Sequence, residues 1–344
     1  MRVLFLGSEE SSSTSRHRAE AFRRLGHQVH HLDPLQAFAP RLAGNLGRLH
    51  YHTGYRLLRA ATAAWLAAAL GRESIFDVCW VDGGEMIGAE AARTLKGRCG
   101  RVILFNHDDP TGPRDWGRFA TLRSAVPEYD LCAVVRPINV AEFQALGAKK
   151  VLHVFRTYDE VAHAPPIDGR PVPAAFQSDI CFIGANYKGE GRDEFLAGLI
   201  SRGLDVAIWG DHWERSRHWK RLERHRRGGN LSGKDYVDAI RGAKLCIGFL
   251  SKKNRDEHTT RSMEIPFAGG LLFAERTVEH KALYNEGIDA AFWSDGNECY
   301  EVATALFADG NLRESLRRSG TRRVKENQCG NENLICRLLN EKCR

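Results

Sequence analysis

The chain opens on an apolar run, Val3 to Leu6, closed by Gly7, and runs of similar length recur to its end. In the first half they are VLFLG, QVHHLD, VCWVDG, VILFNHDD, LCAVVR and KVLHVF; in the second, DICFIG, DVAIWG, LCIGFL, LLFAE and AAFWSD. Short apolar runs with little alternation suit strands covered on both faces, as in a parallel sheet. Between most of them stand helix-like segments such as RHRAEAFRRLG and RDEFLAGLISRG. Strands alternating with helices predict βαβ units. The longest apolar stretch, Leu57 to Leu70, contains Arg59 and is too short to cross a bilayer. It predicts a buried or half-buried helix.

At 344 residues the chain exceeds what one core usually holds. Four of its eleven prolines fall together: Pro165, Pro166, Pro171 and Pro173. Their fixed φ and missing N–H disfavour both helix and central strand. This predicts a linker over 163–178, between a domain over 1–162 and a second over 179–325, with a helical tail over 326–344. Both halves open alike, with a strand ending in glycine (Gly7, Gly184), a polar loop and an arginine-containing helix. The expected fold class is α/β, two Rossmann-like domains with parallel sheets facing across a cleft. Ligands in such folds gather at the carboxyl ends of strands.

Composition adds little, with 43% hydrophobic and 27% charged residues as in ordinary soluble domains. No basic segment leads into a long apolar one at the start, so no signal peptide and a cytoplasmic location are expected. Nine cysteines without a CxxC pair, several inside strand-like runs (Cys79, Cys132, Cys181, Cys246), read as reduced, buried thiols. Cys329, Cys336 and Cys343 are spaced by seven and would share a face if all lay on one helix; packing is favoured over a redox or metal role. The net charge of +7 owes much to His212–Arg227, where seven Lys/Arg residues face Glu214 and Glu223. That segment could attract a polyanion or be a solvated helix face. Nucleic acid is disfavoured, since aromatic residues are not interleaved with the basic ones. The basic, apolar segment 41–72 suggests a peripheral contact with an anionic membrane, at its inner face.

Candidate chemistry concentrates in two places of the second half. FIGANYKGEGRDEF places Gly184, Asn186, Lys188 and Arg192 in a strand–loop–helix turn suited to phosphate. SKKNRDEHTTRSMEIPFAGG brings Lys252 and Asp256 to a helix start near Thr260, whose unpaired N–H groups suit a diphosphate. Arg261 and Glu264 are three apart, and Glu264 has no capping duty because position 261 is not Ser or Thr. It could accept hydrogen bonds from a sugar or ribose, or form an internal ion pair with Arg261. Pro266 predicts a short or kinked helix ahead of Gly269. In the first half, GSEESSSTSRHR offers Ser13, Thr14, His17 and Arg18, and FNHDDPTG ends a strand with His107, Asp108 and Asp109. One of these could act as base or orient an acceptor. The plain alternative for HDDPTG is an Asx turn before Pro110.

TTRSMEIPFAGGLLFAERTVEHKALYNEGIDAAFWSD resembles the C-terminal signature of the CgeB-type (spore maturation protein-like) glycosyltransferases. The residues that carry it are Arg261, Glu264, Ile265, Pro266, Gly269, Glu275, Glu279, His280, Glu286 and Gly287. VDGGEMI, FNHDDP and YDLCAVVRPINVAEFQALGAKKVLHV are similar to the N-terminal domain of many members. That family is similar in turn to the retaining GT-B glycosyltransferases. The resemblance implies a GT-B architecture and a nucleotide sugar (UDP-, GDP- or dTDP-linked) on the second domain. It also implies an unspecified acceptor on the first domain. Cations and helix-terminal N–H groups can stabilise a leaving diphosphate and no strong metal-ligand spacing is present, so neither metal nor other cofactor is expected. Donor binding would fall to Gly184, Asn186, Lys188, Arg192, Lys252, Asp256, Thr260, Arg261, Glu264 and Gly269. Acceptor binding would fall to Ser13, Thr14 and Arg18, and base or orienting work to His107, Asp108, Asp109 or His17. Two acids with seven residues between them mark the donor site in such enzymes. Glu264 matches the second, Asp256 replaces the usual glutamate of the first, and Ala185 stands where an arginine is expected. Those departures support an alternative, a non-catalytic GT-B-like scaffold docking through its basic patch.

Overall fold

The computed structural model describes residues 1–71 and 75–341. The chain forms two compact units, Met1–Phe155 with Asn331–Arg344, and Arg156–Gly330.

The first unit is built on six parallel strands: β1 (Arg2–Leu6), β2 (Gln28–Leu32), β3 (Phe76–Asp82), β4 (Cys99–Asn106), β5 (Leu131–Val134) and β6 (Val151–His153). Their order is β2-β1-β3-β4-β5-β6. Alternate residues of β1 enter different cores, Leu4 and Leu6 on one face and Val3 and Phe5 on the other, which is why the strand reads as continuously apolar. The Leu57–Leu70 stretch contains the helix Arg59–Leu70, which buries Thr62, Ala63, Leu66 and Leu70. The last helix, Asn331–Asn340, packs Leu334, Ile335 and Leu338 into the core that holds Val3, Phe22 and Trp80. Arg101 Nη1 donates to the carbonyls of Leu338 and Leu339 at that helix's end.

The second unit repeats the plan with β7 (Ser178–Ile183), β8 (Val206–Trp209), β9 (Arg226–Gly228), β10 (Ala243–Gly248), β11 (Leu272–Glu275) and β12 (Ala291–Trp293). Their order is β12-β11-β10-β7-β8-β9, again all parallel. In each sheet the order reverses once, between β1 and β3 and between β10 and β7. Loops leaving the strands there turn to opposite faces and open a crevice at the carboxyl ends.

Two expectations need correction. His212–Arg227 is not one solvated helix face: it breaks into Trp213–Arg215, Trp219–Leu222, Glu223–His225 and the edge strand β9. Part of its charge is offset locally, Arg217 by Glu194 at 2.9 Å and Arg227 by Asp205 at 3.7 Å. Cys329 and Cys336 do not share a helix, because Cys329 lies in the turn after Gly310–Glu326 and Cys336 lies in Asn331–Asn340; Cys343 is outside the described residues. Cys79, Cys132, Cys181 and Cys246 are buried thiols. Among the described residues no helix is long and apolar enough to cross a membrane.

Candidate functional site

In the second unit the loops after β7 and β10 are tied together side by side. Arg192, the first residue of the helix Arg192–Ser201, donates from Nη1 to Ala185 O (3.1 Å) and from Nη2 to Leu250 O (3.3 Å). The Glu190 carboxylate accepts from Ser251 Oγ (3.2 Å) and Lys252 N (3.1 Å), and Lys253 Nζ donates to Lys188 O (3.1 Å). Glycine suits position 189 because its φ is +80°, a conformation that residues with a Cβ rarely adopt. Gly184 sits beneath, its carbonyl accepting from Trp213 Nε1, while Asn186 N donates to Asp211 O. Beside this platform is a cavity of about 290 Å³ walled by Gly191, Arg192, Lys252, Glu275, Trp293 and Gly296. Two buried donors of that wall, Arg192 Nε and Trp293 Nε1, have no hydrogen-bond partner. Buried donors are seldom left unpaired, and an acceptor-rich ligand in the cavity is one way these two could be satisfied. Lys252 Nζ, 3.4 Å from Glu275 Oε2, adds an exposed positive charge.

The helix Arg261–Phe267 begins beside the same platform. Glu264 keeps 2% of its surface exposed. Its Oε2 accepts from Tyr236 Oη (2.6 Å) and Arg261 Nη1 (2.5 Å), and His163 Nε2 lies 3.5 Å from Oε1. Burial pushes this carboxyl upward, but Arg261, His163 and the Tyr236 hydrogen bond outweigh it and hold the pKa below the ordinary value. The internal ion pair weighed from the sequence is therefore present, and it encloses the carboxylate. Arg261 also donates from Nε to Ile183 O at the end of β7 and lies over the Tyr236 ring at 4.7 Å.

The amides expected to await a diphosphate are already used: Ser262 N bonds Thr259 O, and Met263 N and Glu264 N both bond Thr260 O. Pro266 lacks the N–H that would pair Ser262 O, and Tyr284 Oη donates to that carbonyl instead at 2.7 Å. Gly269, at φ +86°, stops the helix with N–H to Pro266 O. It stands at the amino end of β11, away from the other donor candidates at the carboxyl ends. Asp256 Oδ1 is 3.5 Å from Arg156 Nη2.

In the first unit a cavity of about 190 Å³ lies at the β1/β3 reversal, with Ser13, Thr14, Ser15, Asp33, His107 and Asp108 in its wall. Arg18 is not presented to it. Its guanidinium grips Asp82 bidentately (Nε–Oδ2 2.6 Å, Nη2–Oδ1 2.9 Å), and Trp80 Nε1 adds a third bond at 3.1 Å. Burial opposes the Asp82 charge, but Arg18 prevails and keeps its pKa below the ordinary value. Ser13 Oγ caps the helix Thr14–Arg24 by accepting from Arg16 N, and Thr14 Oγ1 accepts from Arg18 Nη2. The buried Ser15 Oγ has no partner, and a Cβ at Gly7 would come within 2.1 Å of it. His107 stands between two carboxylates, Nδ1 3.9 Å from Asp82 Oδ1 and Nε2 3.9 Å from Asp108 Oδ2. Asp109 turns away: Asn139 Nδ2 donates to its carboxylate at 2.9 Å, and Gly112 N donates to its backbone carbonyl, a backbone turn rather than the side-chain Asx turn weighed before Pro110. His17 is not part of the cavity wall.

Sequence reasoning missed Glu190, Trp293, Tyr236 and His163 in the second unit, and Asp82 and Ser15 in the first. Asp82 and Trp293 end strands that were recognised, so strand-end polar residues were the usable signal. Tyr236 and His163 reach Glu264 from distant segments and left no local trace. Among the described residues, no group of three or more His, Cys, Asp or Glu side chains is placed to hold a metal ion.

Residues 192–333 match the family described as glycosyl transferase-like. No curated protein matches the chain. Among solved structures, sucrose-phosphate synthase from Thermosynechococcus elongatus superposes with a TM-score of 0.66 at 13% identity, covering 98% of each chain. Anabaena HepE, solved in complex with UDP-glucose, gives 0.65 at 13% identity over 98% of this chain and 99% of that one. An α,α-trehalose-phosphate synthase (UDP-forming) from Burkholderia vietnamiensis gives 0.63 at 13% identity over 99% and 100%. With two six-stranded parallel sheets, each flanked by helices, the chain has the two-domain, Rossmann-like α/β fold of the GT-B class.

Proposed function

We propose that the chain is a glycosyltransferase. It takes a sugar from a nucleotide-sugar donor bound at the β7/β10 reversal and transfers it to an acceptor bound at the β1/β3 reversal. The observation that carries this reading is that the glycosyl transferase-like match, residues 192–333, spans most of the donor platform: Arg192, the β10 loop, the Arg261–Phe267 helix and Trp293. The UDP-glucose complex of HepE makes a uridine diphosphate sugar the first donor to try.

Glycosyl transfer passes through an oxocarbenium-like state while a diphosphate leaves as an anion. Lys252, Lys188 and the unpaired N–H groups of Arg192 and Trp293 are the groups that would stabilise that anion, in a role that asks for no metal. Arg261 and Glu264 act by shape, locking the loop ends through Ile183 and Tyr236. Gly184 and Asn186 shape the loop after β7 that this reading places beside the donor, with Asp256 and Thr260 on the segment after β10. In the first unit, His107 and Asp108 would orient an acceptor hydroxyl beside Ser13, Thr14 and Ser15.

Isothermal titration of the full chain with UDP, GDP and dTDP tests the donor site. At least one is expected to bind, and Lys252→Ala should weaken it about tenfold, as for a lost charged hydrogen bond. Lys252 is largely exposed, so this change spares the fold. Absence of binding by all three diphosphates would overturn the donor assignment.

A further inference from the structure

Residues 34–72 contain no acid, and their charged side chains are Arg41, Arg48, Arg56, Arg59 and Arg72. Arg72 is outside the described residues. The helix Gly44–His52 turns Leu46 (57% exposed) and Leu49 (46%) outward, and the following turn exposes Leu57 (64%). The inner side of the segment needs none of them, since Phe38, Tyr55 and Leu58 form its own cluster with Met86.

A second segment joins the same face. Gly54 O accepts from Thr121, and a Cβ at Gly54, where φ is +62°, would lie 2.3 Å from Gly117 O. That packing sets Trp116 (52% exposed), with the Arg123 guanidinium stacked 3.7 Å from its ring centre, beside the turn carrying Arg56 and Leu57. Arg48 and Arg56 are exposed and have no carboxylate partner among the described residues. Arg59 and Arg123 are held below the ordinary arginine range by burial first and by Arg56 second, so positive charge is crowded here. Water alone explains the arginines but not three outward leucines and a tryptophan among them. A neutral protein partner explains the leucines but not the lack of acids.

We propose that this face docks the first unit on an anionic bilayer. Leu46, Leu49, Leu57 and Trp116 enter the headgroup–acyl boundary, and Arg48 and Arg56 meet lipid phosphates. Apolar insertion and basic attraction together are what a reversible peripheral contact requires. Met86, shared by the cluster beneath this face and the wall of the first unit's cavity, places the contact next to that cavity. The inference goes beyond the glycosyltransferase reading and stands without it.

The test is co-sedimentation of the full chain with phosphatidylcholine vesicles, with and without phosphatidylglycerol. Binding is expected only to the anionic vesicles and should weaken as salt is added. Leu46→Asp with Leu49→Asp, and separately Arg48→Glu with Arg56→Glu, should each lower the partition coefficient about tenfold or more, with circular dichroism unchanged. Equal partitioning onto neutral vesicles, no partitioning at all, or partitioning that both double variants retain would overturn the proposal. So would light scattering showing a dimer that the leucine variant abolishes, because the face would then serve a second copy of the chain.

Discussion

Arg261 and Glu264 show how one residue pair can be legible in spacing and illegible in environment. Three positions apart on a helix, they suggest a contact, but nothing local announces Tyr236 and His163 closing over the carboxylate. Removing one member of a buried pair costs roughly 3–5 kcal/mol. Alanine at either position would therefore disturb the fold as well as any chemistry, and the exposed Lys252 is the cleaner probe of the proposed donor site. His280 supplies a second residue-scale test. Its Nδ1–H donates to Glu275 O at 2.6 Å, so Nε2 accepts from Ser262 Oγ at 2.8 Å and the ring is neutral. Burial lowers its pKa from 6.5 to about 4. As pH falls the unfolded chain takes up this proton first. The stability the neutral ring supplies is thus complete above about pH 6.5 and lost between there and about pH 4, up to ~3 kcal/mol. Urea unfolding of the wild type and His280→Gln across that range should show the wild type's advantage shrinking toward acid. A constant difference would contradict it.

At the scale of elements, eleven strands were visible as apolar runs, and the twelfth was not. β9 reads Arg226-Arg227-Gly228 and holds an edge by backbone pairing, where charge is tolerated and apolar pattern is not required. The helix before Gly269 is as short as Pro266 implied, but its repair by Tyr284 could not be foreseen. The C-terminal helix has an apolar face on Leu334, Ile335 and Leu338, and only the fold shows which sheet that face covers. Ile335→Ala should destabilise the first unit by about 3 kcal/mol, the cost of an aliphatic side chain removed from a filled core. Hydrogen exchange followed by mass spectrometry should then show protection falling in β1 and β3 and unchanged in β7 and β10. Equal loss in both sheets, or in neither, would contradict that packing.

For the whole molecule, the decisive feature is the reversal of strand order in each sheet. Alternation of strand and helix was enough to expect two parallel sheets, but which strands become neighbours is set by packing across the entire unit. That is why the crevice residues were named only in part. Gly184, Lys188, Arg192 and Lys252 collect at one reversal and Ser13, Thr14, His107 and Asp108 at the other, while Gly269, Asp109, His17 and Arg18 are used elsewhere or turned away. The three solved structures compared above share this fold at 13% identity, so chemistry in this chain must be demonstrated directly. The most direct measurement is release of nucleoside diphosphate when the full chain is incubated with UDP-, GDP- and dTDP-sugars, with and without a panel of hydroxyl acceptors. Consumption of at least one donor, slowed in Lys252→Ala, is the expected result. Intact donors throughout, in a protein that still binds the free diphosphate, would contradict catalysis and leave a binding protein of the same fold.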